Sequence, residues 1–243
     1  MGTIIIRAEI MTITAIITTM TDQPVSGAVL LRLLSWLSPA FPLGGFAYSG
    51  GLERAAHDGL IQSGEDLESW LLSGLQHGFL WNDAVLLCES HRLQGENQPL
   101  DDIAALAEAL VGSKERYLET TALGEAFLAA SAAWPASVAL NVPASPALPL
   151  AFGAVSSAHR IGLSAACQAY LHAQIAQYIS AAIRLSVCGQ VTGVAVLAAL
   201  EGPVIEQAGK AVASSLDDLG GCTFRADVAS LKHETQHSRL FRS

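Results

Sequence analysis

Apolar side chains recur at helical spacing along almost the whole chain, and this periodicity limits the fold more than any other feature. Leu30, Leu33, Leu34 and Leu37 follow the i, i+3, i+4, i+7 rule, giving a first helix that Pro39 ends. A short helix is expected over about 49–58, with Gly59 closing it and Gly50 and Gly51 weakening its start. Ser63 caps the next helix, whose stripe is Leu67, Trp70, Leu71, Leu75 and Phe79, and Asn82 and Asp83 are read as the cap of a further helix to about Leu93. Ile103, Leu106, Ala107 and Leu110 mark another, followed by a helix over about 113–130. Trp134 to Pro149 holds four prolines and reads as a surface loop. Helices are then expected over about 150–161, 163–187, 191–200, 203–216 and 226–240, with 217–223 as a loop. Strand alternation is not evident, so the fold class is all-α, a single-domain helical bundle of about eight to ten helices without a sheet.

Residues 1 to about 22 read as a loose N-terminal extension, 23–243 as the helical domain, and about 225–243 as its C-terminal tail. Arg7 and Glu9 interrupt the apolar start, so no signal peptide is assigned, and Met11 and Met20 are alternative starts. The most apolar later stretch, Ile179 to Leu200, contains Arg184 and Gln190 and reads as buried helix rather than membrane span. The hydrophobic share is 51% against only 14% charged, thin cover for an isolated body, which points to surface covered by an oligomer or by partners.

The net charge of −9 argues against a nucleic-acid-binding body. Arg225 to Ser243 runs the other way, with four basic and two acidic residues. Cys88, Cys167, Cys188 and Cys222 are widely spaced, with no CxxC pair, which fits a reducing compartment.

The segment SPAFPLGGFAYSGGLE, Ser38 to Glu53, crowds two prolines and four glycines between helical stretches. Pro39 and Pro42 push Ser38 and Phe41 out of the helical region, while Gly44 and Gly45 open angles closed to other residues. Phe46 and Tyr48 then occupy a stiff corner, either to be buried on folding or to be offered to another protein.

HETQH, His233 to His237, matches the H-E-x-x-H form in which two histidines one helical turn apart hold zinc and the glutamate acts as base. The six residues that follow contain no usual zinc ligand. There is no phosphate loop, no GxGxxG after a strand and no GxSxG elbow. Arg184 interrupts an apolar helix, and Arg116 can pair with Glu119 along its own helix; each serves either an internal ion pair or a partner.

Together these blocks carry a resemblance. SPAFPLGGFAYSGGLE is similar to the S-P-A-L-P-V-G-A-F-S-Y-S-x-G-L-E signature of the urease accessory protein UreF family. ERYLETTALG (Glu115 to Gly124), AYLHAQIAQYISAAIRLSVCGQ (Ala169 to Gln190) and the ending HETQHSRLFRS resemble that family's other blocks, in order, across about Leu30 to Ser243. Phe41, Gly45, Ala47 and Gly50 depart from the pattern.

The resemblance implies an all-helical homodimeric cytoplasmic factor for urease maturation. It would bind the UreD/UreH scaffold, recruit the GTPase UreG and help nickel reach apo-urease, without catalytic residues, resident metal or cofactor, nucleic acid or membrane. The partner-binding residues it implies are Ser38, Pro39, Phe41, Pro42, Gly44, Phe46, Tyr48, Ser49, Gly51, Leu52 and Glu53 at the corner. Arg116, Arg184 and Gln190 lie on the helices, and His233, Glu234, Arg239, Leu240, Phe241 and Arg242 in the tail. A zinc-dependent hydrolase built on HETQH is the alternative.

Overall fold

The computed structural model describes residues 26–243, so the expected extension over residues 1–22 lies outside the described residues. The helices run α1 Gly27–Trp36, α2 Leu52–His57, α3 Gly64–His77, α4 Phe79–Gly95, α5 Asp101–Ala109 and α6 Lys114–Ser131. They continue as α7 Leu148–Ala158, α8 Leu163–Arg184, α9 Gln190–Ala199, α10 Glu201–Ala213 and α11 Phe224–His233, with 3-10 turns at Gly45–Ala47 and Leu216–Asp218. The body is all-α, with eleven α-helices and no strand among the described residues, one helix more than the upper expectation. Packing divides the chain after Leu34, and all contacts described below lie within Ser35–Ser243.

Local signals set most boundaries. Ser63 and Ser113 cap α3 and α6, each accepting the backbone N–H three residues on, from Asp66 and Arg116. Pro149 falls in the first turn of α7, where its missing N–H costs nothing, so that helix starts at Leu148 and takes two residues from the expected loop.

Three expectations shift for tertiary reasons. The short helix begins at Leu52 rather than near Ser49, which leaves Gly50 and Gly51 outside it. Gly78 breaks the chain between α3 and α4, so Phe79 opens α4 and Asn82 and Asp83 lie inside it rather than capping it. The Asn82 side chain instead donates to the Gly221 carbonyl at 3.2 Å and accepts from the Gly220 N–H at 3.2 Å. Finally, α11 stops at His233 and not near Leu240, because the residues beyond it fold back across the body.

The core is layered on α4, α7 and α8. Helix α4 packs along α7, α6 covers α7, α10 lies on α8, and α11 packs against α2. Almost every side chain of α7 is buried, as its uniformly apolar sequence requires. Trp36 is fully buried, with edge-on contacts to Phe127 at 5.8 Å, Phe152 at 6.4 Å and Trp134 at 6.1 Å between centroids. No single described helix is long and apolar enough to cross a membrane.

The close approach of α4 to α7 depends on Gly153, where an added Cβ would lie 2.4 Å from the Leu87 carbonyl oxygen. Backbone cannot yield as a flexible side chain can, so Gly153→Ala is expected to cost about 1–3 kcal/mol through overpacking. A chain of this size would lose about 2–4 °C in melting temperature per kcal/mol. Thermal unfolding by circular dichroism checks this, with Gly202→Ala, which meets nothing within 4 Å, as the neutral control.

Candidate partner-binding corner

Residues 38–53 turn the chain sharply into α2, and the tail after α11 lies directly upon that turn. Glu53 is the point of contact. Its carboxylate accepts the N–H of Leu240 at 2.7 Å and of Phe241 at 2.9 Å, and faces His233 Nε2 at 3.2 Å. Its own N–H donates to Ser49 Oγ at 3.2 Å. The Ser49 N–H and hydroxyl both donate to the Ser243 main-chain oxygen, the N–H at 3.0 Å. The Gly50 N–H donates to Ser243 Oγ at 3.2 Å, and the Arg242 N–H to the Ala47 carbonyl at 2.8 Å.

Helix α6 supplies the second side of the clasp. His233 Nδ1 lies 2.6 Å from Glu115, whose other oxygen is 2.5 Å from Arg239 Nη1. Glu234 Oε1 accepts the Lys114 N–H at 2.8 Å, and the Ser113 and Ser230 hydroxyls are 2.7 Å apart. One turn along α6, Glu119 accepts from Ser243 Oγ at 2.9 Å.

Arg116, on the same helix, pairs with Asp83 at 2.7 Å and with Glu119 at 3.3 Å, and stands over the Phe79 ring at 5.3 Å. Tyr170 donates its hydroxyl to Asp83 at 3.0 Å. Burial by itself would lower the Arg116 pKa, but the charge of Asp83, the neighbouring Tyr178 and then Glu119 hold it well above its ordinary value. Burial raises the Glu119 carboxyl, and Arg116 and the Ser243 hydroxyl only partly oppose it.

The implied site residues therefore fall into a buried set and an exposed set, with a few of intermediate exposure between them. Tyr48, Ser49, Gly51, Leu52, Glu53, His233 and Phe241 are buried, and they build the clasp rather than offering contact area. Arg116 is spent on internal ion pairs. Pro39, Pro42, Phe46, Arg184, Gln190, Arg239, Leu240 and Arg242 are exposed, Phe46 at 74% and Leu240 at 56%. Ser38, Phe41, Gly44 and Glu234 are intermediate, and Phe41 packs against Phe127 at 6.0 Å. Arg184 joins the sets: it donates to the Phe46 carbonyl and lies 4.3 Å above the Phe241 ring. Gln190 is the first residue of α9.

The arrangement does not suit the zinc alternative. The two histidines of HETQH are not on successive turns of one helix, because α11 ends at His233. Both His233 ring nitrogens face carboxylates, and these stand on opposite edges of the ring, where they cannot converge on one ion. Glu234 points to the start of α6. Sequence spacing missed Ser243, Glu115 and Ser230, which carry much of the clasp and match no motif for chemistry.

The pKa of Glu53 gives the clasp a pH limit. Burial would raise it, but the Leu240 and Phe241 amides and then His233 outweigh burial and hold it below the ordinary 4.5. A folded pKa below the unfolded one means that the stabilisation is fully present above about 4.5 and is lost as pH falls through the lowered folded value. Hydrogen-exchange protection of the Leu240 and Phe241 amides is therefore expected to hold near pH 6 and to collapse below 4.5. In Glu53→Gln it should already be about tenfold weaker near pH 6, the scale of losing a charged hydrogen bond.

A sequence model of the UreF family matches residues 61–201. Among curated proteins, the chain is 57% identical over 214 residues to the urease accessory protein UreF of Rhizobium etli (strain CIAT 652), covering 88% of this chain and 96% of that one. It is 52% identical to the UreF of Sinorhizobium medicae (strain WSM419), with the same coverage. Against the UreF of Mesorhizobium japonicum identity is 52%, over 92% of this chain and 100% of the relative. A family match over more than half the chain and identities above 50% across nearly all of it establish that this chain belongs to the UreF family of urease accessory proteins.

Proposed function

We propose that this protein is a non-enzymatic urease maturation factor that binds the UreD/UreH scaffold through the corner and tail. It recruits and regulates the GTPase UreG, so that nickel, as cargo, reaches apo-urease. The observation that carries this reading is the clasp itself. It fixes the backbone on both sides of Phe46 and Leu240 while leaving those two side chains in solvent, with Arg239 and Arg242 exposed near Leu240 on the chain and the exposed Arg184 donating to the Phe46 carbonyl. Apolar anchors on a pre-ordered surface lose little conformational freedom on binding, and arginine is favoured at such contacts.

Two further features support the wider reading. Helix α9 exposes Val191 and Val194, and α10 exposes Ile205, an apolar surface in keeping with a homodimer. All four cysteines are free, which suits a cytoplasmic protein.

Removing residues 234–243 is expected to abolish co-purification with UreD/UreH. Phe46→Ala, which deletes an exposed ring without disturbing the core, should weaken the complex about thirtyfold, the scale of an interface hot spot. Titration calorimetry of the wild type and both variants measures this. An unchanged affinity in both variants, with circular dichroism confirming the fold, would refute the docking site.

A further inference from the structure

The His233 ring is fully buried, and each of its nitrogens faces a carboxylate. Nδ1 lies 2.6 Å from Glu115 Oε2 on α6, and Nε2 lies 3.2 Å from Glu53 Oε2 on α2. A neutral imidazole carries a single N–H, so it donates at one nitrogen and presents a lone pair at the other. In this position a neutral ring would set that lone pair against a carboxylate oxygen, two acceptors with no proton between them. Both contacts are hydrogen bonds only when each carries a proton, and the extra proton must belong either to the ring or to a carboxyl.

The surroundings place it on the ring. Glu115 holds Arg239 Nη1 at 2.5 Å on its other oxygen, and Glu53 accepts the Leu240 and Phe241 amides, so both carboxylates are arranged as anions. Charge balance agrees. With an imidazolium, Glu53 and Glu115 meet His233 and Arg239, two anions against two cations. With a neutral ring one anion is left uncompensated, between carboxylate side chains that are only 9% and 11% exposed.

The other charged groups on the packed elements are engaged among themselves. On α2, Arg54 pairs with Asp58 at 2.8 Å, and Asp58 also meets His57 at 3.3 Å and Lys232 of α11 at 3.5 Å. On α6, Arg116 pairs with Glu119 and Asp83, and the Lys114 N–H donates to Glu234. In the tail, His237 and Arg242 are exposed.

We propose that the clasp is a proton-dependent latch: it closes with His233 as an imidazolium donating to Glu53 and Glu115 at once, and loss of one ring proton opens it and frees the tail. The sign follows from the proton count. Closing around a neutral ring would require taking up a proton, so alkaline solution works against closure. Acid works against it from the other side, by protonating Glu53. The tail is thus ordered within a pH window whose two edges are set by two groups in contact with each other. The latch is a property of this chain alone and holds whatever partner the tail meets.

The test uses the full chain labelled with nitrogen-15 in its backbone and histidine rings. Near pH 6, both ring nitrogens of His233 are expected to show directly bonded protons while the Leu240 and Phe241 amides are protected from exchange. Between about pH 6 and about pH 9, a range that spans histidine and stops short of lysine and arginine, the protection factors of those two amides should fall at least about tenfold in step with loss of a ring proton, the scale of one charged hydrogen bond. Protection factors are referred to the unfolded chain at each pH, which removes the direct effect of pH on exchange. Glu115→Gln supplies a second readout. A glutamine amide donates to a bare ring nitrogen, so a neutral His233 fits, and the alkaline fall should largely disappear whatever the starting protection. His57→Gln and His237→Gln, which remove the neighbouring histidines, should keep the wild-type profile. If Glu115→Gln leaves the tail unprotected even near pH 6, the wild-type ring protons and pH profile decide alone. An unprotonated His233 ring nitrogen in a chain with protected tail amides, protection unchanged up to about pH 9, or a Glu115→Gln profile as steep as wild type overturns the proposal.

Discussion

The buried carboxylate of Glu53 is the interaction on which the corner, α11 and the tail all depend. Taking a carboxylate out of water costs several kcal/mol unless donors replace the lost hydration. Here the donors are the amides of Leu240 and Phe241, with His233 beside them, and all of these come from the far end of the sequence. The corner and the tail therefore cannot be ordered separately at low cost. If the tail leaves, Glu53 is stranded; if Glu53 is lost, two tail amides lose their acceptor. The same contact sets the exposed anchors, since it holds Phe241 beneath Arg184, which in turn donates to the Phe46 carbonyl.

Helix α6 extends this coupling into the core. Glu115 and Glu119 are one turn apart and so share a face, and the tail lies along that face. Glu115 takes His233 and Arg239, while Glu119 takes Ser243 and Arg116. Through Arg116 the tail reaches Asp83 on α4 and Tyr170 on α8, two of the central helices. A disturbance at the corner or the tail thus has a continuous path of polar and charged contacts into the body, with Ser243 linking Ser49 to Glu119.

Features governed by a few neighbouring residues were legible in the sequence. The cap at Ser63, the start of α6 near residue 113, the stripe of α3, the long span of α8 and the all-α class follow from spacing that the chain carries locally. What was hidden depended on partners far along the chain. Asn82 and Asp83 resemble a cap, yet their side chains serve residues 220 and 221 and Arg116. Apolar spacing carries the last helix on toward Leu240, but Glu53 and the start of α6 take up residues 234–241 before another turn can form. Aromatic character marked both Phe46 and Tyr48 as corner residues, while burial assigns them opposite roles.

The glycine pair at the corner shows how strictly that surface is shaped. Gly50 and Gly51 have φ of +58° and +82°, a region that disfavours side chains. Space forbids them independently: a Cβ on Gly51 would lie 2.8 Å from the Ser230 backbone nitrogen, and one on Gly50 would lie 2.7 Å from the Tyr178 ring. Gly51 thereby lets α2 approach α11 closely enough for Glu53 to meet His233. The space beside Gly50 is filled from the other side by Tyr178. That ring in turn packs edge-on against Phe79 at 5.3 Å between centroids, so the shape of the corner is set by side chains of the central helices α8 and α4.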